Sequence, residues 1–139
     1  MTRIIYTNSD DSVSVVYPVS GTATASLAAK AVPSGTAYQI VADGVIPTDD
    51  TFRDAWRRNG GAIEINLAAA KTIAHNAMRA LAVEAIRVSQ EKTSLGETPT
   101  FTPTQISTAL LAAKNAVTAD TTDADIKVEM NNFLTTYAV

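Results

Sequence analysis

His75 is the single histidine of the 139-residue chain, and histidine chemistry needs company. A catalytic imidazole needs an acid to orient it and a nucleophile beside it, and a metal-bound one needs further ligands. On a helix its neighbours three and four residues away are Thr72, Lys71, Met78 and Arg79, none of which fits either role. His75 therefore reads as a surface or helix-packing residue. Asp10-Asp11 and Asp49-Asp50 lack the spaced oxygen ligands and closing glutamate of a calcium loop, and read as turn and cap residues. Gly60-Gly61 stands outside any phosphate-loop or dinucleotide pattern, and no G-x-S-x-G nucleophile elbow occurs. With no cysteine, disulfides, thiolate metal sites and cysteine nucleophiles are excluded. The expectation is a non-enzymatic protein without a catalytic residue, cofactor or metal.

Charge narrows the partners. The net charge is −3, and the only basic cluster, Arg53, Arg57 and Arg58, is flanked by Asp49, Asp50 and Asp54. A stripe able to neutralise several phosphates is missing, so nucleic acid is not an expected partner. Leu67 to Val88 is alanine-rich but interrupted by Lys71, His75, Arg79, Glu84 and Arg87, which rules it out as a simple membrane span. Met1–Ile5 is not followed by the apolar run of a signal peptide.

The elements that would position these residues read as α+β. Strand composition or alternation marks residues 3–7, 13–17, 37–42 and 62–65, expected to form one small antiparallel sheet. A short helix fits residues 22–31, ended by Val32-Pro33-Ser34-Gly35. Phe52 and Trp56, four apart, would share a face of a second short helix and serve as core anchors. Residues 1–66 thus form a β-rich domain. A long alanine-rich helix follows over 67–92, then a Thr/Pro/Gly linker over 93–103, then a helical hairpin over 104–139.

Hydrophobic residues make up 46% of the chain, but many are alanine, which buries little area. Leu67, Ala74, Leu81 and Val88 recur every seven residues within a broader stripe, permitting coiled-coil-like packing that Glu84 interrupts. Three amphipathic helices offer more apolar surface than a small sheet can cover. The partner-interface candidates are therefore Ala70, Ala74, Ala77, Met78, Leu81 and Val88 on the long helix, with Leu110 and Phe133 on the hairpin.

One ordered set of motifs goes further. Met1–Asn8, Val13–Pro18, Ala28–Gly35, Tyr38–Val41, Ile46–Asp49 and Thr51–Trp56 follow one another in an order that resembles small proteins encoded among the tail and tail-fibre genes of tailed bacteriophages. The resemblance covers about residues 1–80 and carries over no catalytic residue. It implies a structural virion component, assembled in the host cytoplasm, packing on other tail or fibre subunits or on copies of itself. The alternative is a transient tail-fibre assembly chaperone absent from the mature particle. Residues 81–139 depart from the group, whose helical tails are more charged.

Overall fold

The structure, a computed structural model, describes residues 1–139 and is α+β. It divides into two compact units, Met1–Asn66 and Leu67–Val139.

In the first unit, β1 (Thr2–Thr7) is the central strand of an antiparallel sheet, between β2 (Val13–Val16) and β3 (Tyr38–Ala42). Side chains alternate across a strand, so the consecutive Ile4 and Ile5 enter opposite faces, and both are fully buried. Ile4 packs with Ala23, Ala28 and Val32 of and around helix α1 (Ala25–Ala31), whose N-cap Thr24 accepts from the Leu27 amide. Ile5 packs with Val13, Val41, Ile46 and Trp56. The turn between β1 and β2 is built by short polar side chains: the Asp10 carboxylate accepts from the Ser12 amide at 3.1 Å, and Asp11 takes φ 68°.

Two expectations for this unit need correction. The four strands do not share one sheet, because β5 (Ala62–Ile65) pairs with a strand missed in the sequence, β4 (Trp56–Asn59), as a separate antiparallel hairpin. The helix expected around Phe52 and Trp56 is only a 3-10 turn over Arg53–Ala55, after which Trp56 turns extended. Phe52 and Trp56 are nonetheless buried, at 3% and 1% exposure.

The second unit is a bundle of α2 (Leu67–Ser94), α3 (Pro103–Ala119) and α4 (Asp123–Thr136), each packed on the other two. The buried line along α2 is Ala70, Ala74, Met78, Ala82, Ala85 and Ser89. Alanine at these positions lets backbones approach closely. Ile106 and Val117 of α3, and Ile126, Met130 and Phe133 of α4, fill the space opposite.

The segment between α2 and α3 is folded rather than a loose tether. The Glu97 amide donates to the Lys92 carbonyl and the Gly96 amide to the Thr93 carbonyl, a Schellman ending with Gly96 at φ 77°. Ser89 Oγ donates to the Phe101 carbonyl at 2.7 Å, and the Phe101 ring lies 4.7 Å from that of Tyr137. Thr102 and Gln105 then close a reciprocal capping box around Pro103.

Candidate functional site

The polar residues singled out for chemistry are engaged with the chain's own backbone. His75 Nε2 lies 3.2 Å from the Lys114 carbonyl, so the imidazole bridges α2 to α3 within the bundle. One turn away, Lys71 Nζ donates to the Thr118 carbonyl at 2.8 Å, a cation at the carbonyl-rich end of α3. Asp49 accepts from both the amide and hydroxyl of Thr51, at 3.0 and 2.6 Å. Arg57 donates to the Asp54 and Trp56 carbonyls, Arg58 to the Gly60 carbonyl, and Arg53 lies over the Trp56 ring at 4.9 Å. The three arginines thus build the hairpin and its approach. No group of three or more His, Asp or Glu side chains converges as a metal site would require, and no helix is long and apolar enough to cross a membrane.

The apolar candidates fall into two sets. Ala70, Ala74 and Met78 are fully buried and Phe133 is 5% exposed, all within the three-helix unit. The helices use this surface on one another, which corrects the idea that it outruns what the chain can cover. Ala77, Leu81, Val88 and Leu110 remain half-buried on the flanks.

One concavity of the bundle is a cleft of about 390 Å³ lined by Val88, Ser89, Lys92, Phe101, Ile106 and Tyr137, among others. Its walls are largely apolar with the Lys92 ammonium among them. That set can hold an apolar group beside an anionic one, but it offers no nucleophile paired with a base.

Two features escaped the sequence. Arg3 is 8% exposed, pairs with Asp43 at 2.9 Å, and stacks over the Tyr17 ring at 4.7 Å. A cation in strand β1 gives no hint of partners forty and fourteen residues away. The second is a carboxyl pair at the α3–α4 corner, Asp120 and Glu129, each with one enclosed oxygen. Burial first, then the Asp120 charge and its hydrogen bond, hold the Glu129 carboxyl above the ordinary carboxylate range. Nothing in a spacing of nine residues across a helix break signals such a pair. The chain matches no protein-family model, no curated protein and no solved structure.

Proposed function

We propose that this protein is a non-enzymatic structural component of a tailed-bacteriophage virion, placed in the tail or tail-fibre region and acting by packing on neighbouring subunits. The observation that carries the non-enzymatic part is where the reactive side chains go. His75, Asp10, Asp49 and the three arginines of the 53–58 segment are bonded to, or stacked on, nearby parts of their own unit. The ordered motifs through Trp56 support the virion assignment. The test is mass spectrometry of purified particles of the encoding phage, with copy number. Stoichiometric presence in whole numbers per particle is expected. Abundance in infected cells with absence from purified particles would replace this reading with that of a transient assembly chaperone.

A further inference from the structure

We propose that β3 is a self-association edge, through which two copies of this chain join their three-stranded sheets across a two-fold axis beside Ile40. The inference is independent of the virion reading, and rests on the phase of the hydrogen-bond ladder, the side chains on β3 and its charge.

The phase comes first. In an antiparallel pair, residues opposite one another alternate between those that exchange both backbone bonds and those that exchange none. The Asp43 amide donates to the Met1 carbonyl at 3.0 Å, which fixes that alternation between β1 and β3. Stepping by two, Arg3 with Val41 and Ile5 with Gln39 are the bonded pairs of the register. The N–H and C=O groups of Tyr38, Ile40 and Ala42 therefore point away from β1. β3 is a terminal strand of its sheet, so these groups have no strand beyond them.

The same residues carry the exposed apolar side chains. Tyr38 and Ile40 are 36% and 41% exposed, and with Ala42 they share one face of the sheet. Exposed edges are ordinarily protected by lysine, proline, a bulge or an inward charge. Tyr38–Ala42 carries none of these: Tyr-Gln-Ile-Val-Ala pairs with β1 in unbroken register and has no ionisable group other than the tyrosine. The opposite edge is less open. β2 is a residue shorter, is followed closely by Pro18, and begins at Val13, which is 6% exposed.

A strand is the complement of an unpaired ladder, and β3 is its own complement. With Ile40 on the axis, Ile40 faces Ile40 of the second copy, and Tyr38 faces Ala42 in both directions. All three sit in the bonded phase, so their outward N–H and C=O groups are satisfied reciprocally. Tyr38 and Ile40 from both copies form one apolar row. The first charge beyond the strand, Asp43, would face the neutral Ala37 and already pairs with Arg3. No like charges meet across the axis. A single strand edge buries less than the roughly 1,200 Å² of a standard interface, so the dimer is expected to depend on concentration.

The test is sedimentation velocity of the full chain over a concentration series, beside Ile40→Lys and Ile40→Pro, with far-UV circular dichroism to check folding. Lysine places two like charges on the axis. Proline removes an amide that points outward and leaves the β1 ladder intact. The wild type is expected to shift from monomer to dimer, with a dissociation constant at least about tenfold higher in both variants. Hydrogen exchange on the wild type gives a second readout that needs no variant. Protection of the Tyr38, Ile40 and Ala42 amides should rise with concentration, while Gln39 and Val41 stay protected throughout. A wild type that remains monomeric up to about 1 mM overturns the proposal. So does a dimer that both variants leave unchanged, or a concentration-independent exchange pattern along β3.

Discussion

His75 looks like a reactive residue only until its partner is seen. Its Nε2 meets the Lys114 carbonyl, which also accepts from the Thr118 hydroxyl at 2.8 Å. Removing the imidazole therefore leaves that oxygen satisfied. His75→Ala should cost about 0.5–1 kcal/mol, a melting-temperature drop of a few degrees, with the fold retained. A larger loss would mean that the bridge, rather than apolar packing, sets the α2–α3 geometry. The Asp120–Glu129 pair makes a second prediction at this scale. Glu129 is held above its ordinary value of 4.5, so it binds a proton more readily folded than unfolded. Its contribution to stability is complete below 4.5 and fades as pH rises through the raised folded value. Asp10 and Glu84 are shifted the other way, each mainly by a side-chain hydrogen bond, from Ser12 and Arg87 respectively, and lose their contribution only as pH falls. Glu129→Gln supplies a permanent N–H donor to Asp120. Melting curves from pH about 4 to about 8 should show the variant losing less stability toward the alkaline end than the wild type. Parallel curves would show that the two carboxyls do not share a proton.

At the scale of elements, legibility followed locality. β1, β2 and β3 announce themselves by alternation and turn residues, and α3 by Pro103 with its caps, because those signals act within a few residues. β4 was not legible in the same way. Phe52 and Trp56 at a helical interval outweighed the Asn59-Gly60 hairpin signal, and what makes Trp56–Asn59 a strand is its pairing with β5. The order of the segment from Thr93 to Pro103 likewise comes from distant partners. Threonine and proline suggest looseness, but Ser89 and Tyr137 hold Phe101 from other helices. Of the candidate interface, only the flanking Ala77, Leu81, Val88 and Leu110 stay partly open. A heptad count cannot tell which side of an alanine-rich helix its own chain will occupy. Ala74→Leu distinguishes core from partner surface directly. Ala74 is fully buried, so the added carbons have no room and should destabilise the bundle by about 1–3 kcal/mol, read by chemical denaturation. An unchanged midpoint would place Ala74 on a surface that yields.

At the scale of the molecule, two units of similar length solve the same problem differently. Met1–Asn66 encloses Trp56, Ile4 and Ile5 around a small sheet, and Leu67–Val139 encloses Met78, Ile106, Ile126 and Val117 between helices. In the second unit these large side chains from α3 and α4 meet a line of mostly alanines on α2, with carbonyl-directed bonds from Lys71, His75 and Ser89 added at the edges.

The alanine line of α2 also sets how the bundle responds to temperature. Unfolding raises heat capacity mainly by exposing apolar area, and a seam of Ala70, Ala74, Ala82 and Ala85 has little to expose. Calorimetry should therefore give a heat-capacity increment below the usual ~12–15 cal/mol/K per residue. A small increment flattens the stability curve, so the protein would lose less on cooling than a domain with a leucine-rich core. An increment at or above the usual range would show that the large side chains opposite, Ile106, Val117, Ile126, Met130 and Phe133, outweigh the alanine seam.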